Sequence, residues 1–329
     1  MTFFLTGATG FLGSQIAHIL LDAGHEVRAI RRSSSKMDLI GAAADRIDWI
    51  EGDVLDPDSL ESGMKDAEGV IHAAAFLGFE GKKSEEQLMS VNVDGTANVV
   101  DAAIRAGIKR MVHVSSIAAL SRSEVDAGCR DESAEWEDSS MNTGYAISKH
   151  RAEMEVHRGI AMGLDAVIVN PSLIMGVGRP SENTMQIADR LVKGGIPFVP
   201  KGGTNVVDVR DVAAGCLRAF ENGRTSERYI LAGHNLMWEE ILATMGSDLD
   251  VTPPTRTLPT RLMMGSAALF ELGAVIVRRR SVITRETIRL SMSISCYDNT
   301  RSIKVLGCTY RPFSETSKWI AEGYRALEG

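Results

Sequence analysis

The stretch Thr6-Gly7-Ala8-Thr9-Gly10-Phe11-Leu12-Gly13 decides the fold of this 329-residue chain. It follows the apolar run Phe3-Phe4-Leu5 and precedes a segment with helical spacing, which predicts a strand, a tight turn and a helix. Three glycines at this spacing let the backbone turn, approach a pyrophosphate and bring the helix close to a sheet. The helix N-terminus then offers free N–H groups to phosphates. We therefore predict a dinucleotide site that includes Thr6, Gly7, Thr9, Gly10, Phe11, Leu12 and Gly13.

Short apolar runs alternate with helical patterns along the first half of the chain. The predicted strands are Thr2–Thr6, Glu26–Arg31, Ile47–Ile50, Gly69–Ala74, Met111–Ser115 and Ala166–Asn170. The predicted helices are Phe11–Ala23, Pro57–Lys65, Glu85–Ala106 and Gly144–Met162. This alternation predicts an α/β fold with a doubly wound parallel sheet (Rossmann fold), in which ligands bind beyond the carboxyl ends of the strands.

The alternation becomes irregular after Pro171, where prolines interrupt the pattern. Short strands are predicted near Pro197–Pro200, at Val206–Val209 and at Arg228–Leu231. We expect a dinucleotide-binding domain at residues 1–172, to which residues 205–231 return. A smaller, mixed α/β substrate-binding lobe would be formed mainly by residues 173–204 and 232–329.

The end of the second predicted strand indicates which dinucleotide binds. Dinucleotide sites selective for NAD usually place an acid there, which bonds the ribose 2′-hydroxyl. This chain instead has Arg31 and Arg32, followed by three serines. Guanidinium groups and hydroxyls suit a 2′-phosphate, so we predict NADP(H) over NAD(H). The alternative is a solvated basic loop.

Two further strand ends complete the predicted cofactor site. Asp53 follows the third strand, where its carboxylate can reach the adenine amino group, and Val54 comes next. Small residues after the fourth strand, Ala73, Ala74 and Ala75, leave room for a cofactor to lie across it. We interpret the preceding His72 as a histidine at the edge of the core.

Tyr145 and Lys149 suggest the chemistry, because residues four apart lie on one face of a helix. A free tyrosine has a pKa of about 10, and a nearby ammonium group lowers it. The phenol can then give a proton to a carbonyl oxygen as hydride arrives, or take one in reverse. Ser115 and Ser116 end the fifth strand, where a hydroxyl can bond the substrate oxygen.

Together these motifs resemble the extended short-chain dehydrogenase/reductase superfamily over nearly the whole chain. The segments that carry the resemblance are TGATGFLG (6–13), GDV (52–54), NVDGTANVVDAA (92–103), HVSS (113–116), YAISK (145–149), NPS (170–172) and VVDVRDVAAG (206–215). Within the superfamily the chain is most similar to the dihydroflavonol-4-reductase-like branch and to related hopanoid-associated epimerase-like proteins of bacteria. Val27–Arg32, the NPxxxxG run at 170–176 and Tyr310-Arg311-Pro312 match that branch.

The resemblance implies a role for several residues. Ser116, Tyr145 and Lys149 would be catalytic, and Asn92 would support the active site. Tyr145 and Lys149 would also contact the cofactor. Ser115 would lie nearer the nicotinamide, with Pro171 and Ser172 beside its carboxamide group. Arg32 stands at the position of the arginine that binds the 2′-phosphate.

We therefore expect an NADPH-dependent reductase of a ketone or aldehyde, with a small carbonyl or alcohol compound as substrate. A nucleotide-sugar epimerase or dehydratase with tightly bound NAD(P) is the alternative, and a dinucleotide sensor without catalysis is the third hypothesis. Phe76, Leu77, Phe79, Met141 and Met175 are candidates for an apolar wall of the substrate cleft. Packing within the lobe is the alternative for each.

The remaining expectations come from composition. A net charge of −7 argues against nucleic acid as a partner. The four cysteines are scattered and the histidines dispersed, so we expect free thiols, no metal site and a cytoplasmic protein. Leu262–Val277 is too short for a membrane span and is interpreted as a packed helix, with peripheral membrane contact as the alternative. Both a monomer and a homodimer fit the sequence.

Overall fold

The computed structural model describes residues 1–78, 82–120, 128–139, 142–180, 182, 184–257 and 291–328. Phe79, Met141 and Leu262–Val277, for which the sequence suggests roles, lie outside these residues. The chain forms two compact units. The first contains Met1–Ser172, Val209–Ala232 and Asp298–Tyr310, and the second contains Leu173–Asp208, Gly233–Tyr297 and Arg311–Gly329. The first unit thus includes Asp298–Tyr310, which the sequence analysis assigns to the smaller lobe.

A seven-stranded parallel sheet forms the centre of the first unit. Its strands are β1 (Thr2–Thr6), β2 (Glu26–Arg31), β3 (Ile47–Glu51), β4 (Gly69–His72), β5 (Arg110–Val114), β6 (Ala166–Pro171) and β9 (Arg228–Leu231). They lie in the order β3-β2-β1-β4-β5-β6-β9, and every pairing is parallel. This arrangement confirms the predicted fold class.

Helices cover both faces of this sheet. The helices of the first unit are α1 (Phe11–Asp22), α2 (Pro57–Met64), α3 (Lys82–Met89), α4 (Gly95–Arg105), α5 (Gly144–Ala161) and α7 (Val209–Asn222). Helix α1 contacts α7, whereas α4 contacts both α2 and α5. Buried side chains of the sheet and of α2, α4 and α5 form one core, which includes Phe4, Leu60, Val99, Val156 and Ile168.

The helix predicted at Glu85–Ala106 is divided in the structure. A π-helical segment at Ser90–Asp94 separates α3 from α4. Asn92 lies in this segment, and its side chain exchanges hydrogen bonds with the backbone of Phe76. The prediction of one continuous helix is wrong here. Sequence periodicity does not reveal that long-range bonds hold this widened turn, a kind often found at functional sites.

The second unit contains a separate three-stranded sheet. Its strands are β7 (Leu173–Met175), β8 (Gly203–Asp208) and β10 (His234–Met237), where β8 pairs parallel with β7 and antiparallel with β10. Helices α6 (Met185–Val192), α8 (Trp238–Asp248) and α9 (Phe313–Glu328) pack beside it. Met175 is fully buried in the core of this unit, so its side chain packs within the lobe.

Two further expectations need correction. Pro197–Pro200 forms no strand, because two prolines in four residues cannot donate ladder hydrogen bonds. Cys216 and Cys308 are free thiols as expected, but Cys129 and Cys296 are disulfide-bonded. Sequence spacing says nothing about which cysteines approach each other in space. Among the described residues, no helix is both long and apolar enough to cross a membrane.

The strand order reverses between β1 and β4, the place where open α/β sheets bind ligands. The glycine turn after β1 lies against the residues that follow β4. Gly7 has φ +77°, and a Cβ atom there would lie 2.7 Å from the amide nitrogen of Ala74. The position therefore needs glycine both for its backbone conformation and for this close approach.

Replacement of Gly7 by alanine tests this constraint. Gly24 is the matched control, because it has φ +80° but no atom within 4 Å of an added Cβ. We expect Gly24→Ala to lower the free energy of unfolding by roughly 1–2 kcal/mol, the cost of the left-handed backbone. Gly7→Ala should lose a further 1–3 kcal/mol, roughly the cost of overpacking, in urea titrations followed by circular dichroism. Equal losses in the two variants would contradict the close approach.

Candidate active site

The glycine turn prepares the N-terminus of α1 for an anionic ligand. Gly10 is the N-cap residue, and no side chain caps the helix. The first turn of α1 contains no acidic residue, which would compete for its N–H groups. A Cβ on Gly13 would overlap the carbonyl group of Gly7, so only glycine lets the helix begin this close to the turn. The backbone here fits a dinucleotide pyrophosphate.

Thr6 and His72 support this turn from beneath. The Thr6 hydroxyl bonds Nδ1 of His72 at 2.7 Å and accepts from the amide of Ala74 at 3.1 Å. The Nε2 atom of His72 bonds the Thr96 hydroxyl at 3.0 Å. Burial, together with the charge of Lys149, lowers the pKa of His72 to about 3. His72 is therefore a neutral core histidine, and Ala73–Ala75 are held beside the glycine turn.

The two arginines predicted to bind a 2′-phosphate differ in their surroundings. Arg31 places its guanidinium carbon 5.9 Å from the centre of the Trp49 ring, and its Nε is buried. Arg32 lies after β2 with 66% of its side chain exposed, and its Nε is 4.0 Å from Oδ2 of Asp53. Asp53 also accepts from the amide of Leu55, whereas Val54 packs into the core. Arg32 and Asp53 thus meet at one edge of the sheet.

The predicted proton-transfer residues meet where β5 ends and α5 begins. Thr143 caps α5 by accepting from the amide of Ala146 at 3.0 Å, which places Tyr145 in the first turn. Ser116 follows β5, and its hydroxyl accepts from the amide of Ala118 at 3.1 Å. The Ser116 side chain also lies close enough to the phenol of Tyr145 to oppose the rise of its pKa. The two hydroxyls that we predict to bind a carbonyl oxygen are therefore adjacent.

Lys149 lies one turn beyond Tyr145 on the buried face of α5. Its Nζ donates to the backbone carbonyl of Val114 at 2.8 Å, and 2% of the residue is exposed. Burial lowers the pKa of this ammonium group to about 8, and the charge of Glu153 opposes that decrease. Lys149 therefore exchanges its charge in a range close to neutrality, which is typical of functional lysines.

The pKa of Tyr145 differs from the sequence-based expectation. Burial raises the pKa of the phenol, and the hydrogen bond from Ser116 opposes this increase only in part. The expected lowering by Lys149 is wrong for the chain without ligands, because the Lys149 ammonium group donates to Val114. A phenol with a raised pKa keeps its proton near neutral pH, so Tyr145 holds a proton that a carbonyl oxygen can accept.

Asn92 connects the residues after β4 to α5. Its Nδ2 donates to the Ser148 hydroxyl at 2.9 Å, and that hydroxyl donates to the carbonyl of Tyr145 at 2.8 Å. Together with its bonds to Phe76, this contact holds the first turn of α5 against the sheet edge. The support that the resemblance implied for Asn92 thus has a physical basis in these contacts.

The remaining predicted cofactor residues lie at the ends of β5 and β6. The Ser115 hydroxyl donates to the carboxylate of Glu153 at 2.5 Å, and Pro171 ends β6. Ser172 is 6% exposed, and its Oγ has no hydrogen-bond partner among the described residues. A buried hydroxyl of this kind fits a polar ligand group such as a carboxamide.

Comparison with known proteins shows the family of the chain. The model of the family described as NAD dependent epimerase/dehydratase matches residues 3–232. The chain belongs to that family. All the residues assigned above to the cofactor and to proton transfer lie within the matched range. A nicotinamide dinucleotide, when bound, supplies or accepts hydride, and the site described here fits such a ligand.

Proteins with related sequences include one with the name of a reductase. A Synechocystis protein provisionally named dihydroflavonol 4-reductase is 34% identical over 93% of this chain and 89% of its own length. Sterol demethylase protein B of Methylococcus capsulatus is 34% identical over 98% of this chain and 99% of its own length. The crystal structure of gox2253 superposes with a TM-score of 0.85 at 31% identity, and covers 99% of this chain and 98% of that chain.

Proposed function

We propose that the protein is an NADPH-dependent reductase of a ketone or aldehyde. The observation that carries the proposal is the contact between Ser116 and Tyr145, with Lys149 buried one helical turn away. Two adjacent hydroxyls can bond one carbonyl oxygen, and the Tyr145 phenol, which keeps its proton near neutral pH, can transfer it to that oxygen. Carbonyl reduction needs this donor, since the oxygen gains a proton as the carbon gains hydride.

Lys149 would act on the tyrosine after that proton has left. Loss of the proton leaves a phenolate, whose negative charge is costly in a buried site. A cation one turn away offsets that cost, and Lys149 supplies one below its pKa of about 8. The buried position of Lys149 makes the interaction stronger than it would be in water.

The preference for NADPH rests on Arg32. Its side chain is largely exposed and lies after β2, where the ribose hydroxyls of a dinucleotide are expected. Asp53 is 4.0 Å away and orients the guanidinium group without enclosing it. Arg31 is engaged with Trp49, so we propose Arg32 as the main ligand of the 2′-phosphate.

The relatives suggest which carbonyl compounds to test. Rice cinnamoyl-CoA reductase 1 is 32% identical over 72% of this chain and 73% of its own length. Together with the relatives named for dihydroflavonol and sterol chemistry, it favours bulky, largely apolar substrates. We propose that the substrate belongs to this class.

Turnover with NADPH tests the function directly. The purified protein should consume NADPH, measured by absorbance at a wavelength specific to the reduced nicotinamide, with aromatic ketones, hydroxy-ketones, steroid ketones or aldehydes. Tyr145→Phe should lower kcat at least 100-fold, roughly the contribution of a positioned acid, and leave NADPH binding unchanged. Tyr297→Phe, a buried tyrosine of the second unit, is the control and should retain activity.

Two results would contradict the proposal. One is full activity of Tyr145→Phe on a substrate that the wild-type protein reduces. The other is stoichiometric NAD released on denaturation, together with no net consumption of NADPH across the panel. That second result would favour the epimerase or dehydratase hypothesis.

The choice of cofactor is tested by separate replacement of the two arginines. Arg32→Ala should raise the Kd for NADPH by roughly 10- to 100-fold, because a charge-assisted hydrogen bond is lost, and change the Kd for NADH little. Arg31→Ala should affect NADPH binding less, since its guanidinium group lies over the Trp49 ring. Titration of cofactor fluorescence measures both constants. Equal effects of Arg32→Ala on NADPH and NADH would exclude a 2′-phosphate contact.

A further inference from the structure

Glu153 is a fully buried carboxylate that the proton-transfer scheme above leaves without a role. It lies one helical turn beyond Lys149 on the buried face of α5, and its residue exposure is 0%. A carboxylate is almost never this buried unless it is paired, because the loss of its hydration is costly. Charged residues in helices usually face solvent, so the burial of this position could not be predicted from sequence.

Its contacts reach two strands of the parallel sheet and the residue that follows a third. Oε1 accepts from the Ser115 hydroxyl at 2.5 Å and from Nδ2 of Asn170, on β6, at 2.7 Å. Oε2 lies 3.4 Å from the guanidinium group of Arg228, on β9. The same Asn170 amide donates to the backbone carbonyl of Ser116 at 3.0 Å. Glu153 thus holds Ser115 directly and Ser116 through Asn170.

These hydrogen bonds hold the segment Ser115–Ser116, which follows β5. Ser116 is one of the two residues whose hydroxyls we propose to bond the carbonyl oxygen of the substrate. Ser116 must lie close to Tyr145 for both hydroxyls to reach one carbonyl oxygen. Its backbone carbonyl is held by Asn170, and Asn170 is oriented by Glu153. Loss of the carboxylate would leave a buried amide and a buried hydroxyl without their acceptor, which is unfavourable unless both move.

The charge of Glu153 acts on a set of neighbouring cations. On α5 it favours the protonated forms of Lys149, His150 and His157. Arg228 faces it from β9 and has the opposite effect on His150 and His157. His72 on β4 and His113 on β5 face Lys149, and burial keeps both neutral by lowering their pKa. Glu153 is therefore the negative charge that opposes the effect of burial on Lys149.

We propose that Glu153 is a positioning residue for proton transfer, which holds Ser115 and Ser116 in register with Tyr145. The inference deepens the reductase function proposed above and rests on it for its catalytic consequence. Glu153 does not touch the reacting atoms. Its two effects, one geometric and one electrostatic, can be separated by substitution.

The electrostatic effect is measured without any substrate. Glu153→Gln keeps the shape of the side chain and removes the charge. Glu155→Gln is the matched control, because Glu155 is on the same helix and pairs with Arg158 instead. Lys149 is titrated by NMR in protein labelled with ¹³C-lysine, and its signal is assigned by its loss in Lys149→Arg. We expect the pKa of Lys149, about 8 in the wild type, to fall in Glu153→Gln and to stay unchanged in Glu155→Gln.

The geometric effect is measured by kinetics. Glu153→Asp keeps the charge, but its shorter side chain cannot reach Ser115 and Asn170 together. It should retain the wild-type titration of Lys149 and lower kcat about tenfold, with the KM for NADPH unchanged.

In Glu153→Gln, kcat/KM for the carbonyl compound should decline at a lower pH than in the wild type, because Lys149 loses its proton earlier as the pH rises. A defect of folding alone would not change the pH at which kcat/KM declines.

The outcomes separate this inference from the proposed function. A wild-type protein that reduces no carbonyl compound removes the proposed function, and the NMR titration still decides the electrostatic role. Identical Lys149 titrations in the wild type and Glu153→Gln would overturn that role. A wild-type kcat in Glu153→Asp would overturn the geometric role. If Glu153→Gln does not fold, Glu153→Asp still tests the geometric role, and a wild-type kcat in that variant overturns the proposal.

Discussion

The hydrogen bond from Nζ of Lys149 to the carbonyl of Val114 is the contact on which the rest of the site depends. It fixes the buried face of α5 against the last residue of β5 at 2.8 Å. Because Tyr145 lies one turn earlier and Ser116 two residues after Val114, this register brings the two hydroxyls together. The same burial that fixes the contact lowers the pKa of Lys149 into a useful range.

Both halves of the candidate site belong to the first unit and follow from its parallel sheet. Strand ends of β1 to β4 present the glycine turn, Arg32, Asp53 and the alanine run. The ends of β5 and β6 present the serines and Ser172. Since parallel strands end at one edge, residues more than 100 positions apart converge without a long loop. The reversal of strand order at β1 and β4 opens the place where a dinucleotide fits.

Local patterns were sufficient to predict much of this arrangement. The bounds of β1 and β2 match the prediction to the residue, because each apolar run is short and flanked by glycine or charge. The spacing of Tyr145 and Lys149 was sufficient to place both on one helix face. The glycine turn, with its strand before and helix after, also lay within a single stretch of sequence.

The parts that sequence could not predict depend on contacts between distant segments. In the sequence, Glu153 resembles a solvent-exposed helix residue. Its burial results from contacts with Ser115, Asn170 and Arg228, which lie far from it along the chain. The position of Arg31 over the Trp49 ring depends on strand register. The π-helical turn at Ser90–Asp94 depends on the bonds of Asn92 to Phe76. The sequence analysis predicted a lowered pKa for the Tyr145 phenol. It could not show that Lys149 donates to the carbonyl of Val114 or that burial raises the pKa of the phenol.

The central claim is net transfer of hydride to a carbonyl carbon with a proton from Tyr145 to its oxygen. Reduction with NADPH that carries deuterium at the transferable C4 position tests it most directly, with the alcohol product measured by mass spectrometry. One deuterium should appear on the former carbonyl carbon for each NADPH oxidised. A product without deuterium, or isomerisation of the substrate with no oxidation of NADPH, would contradict it.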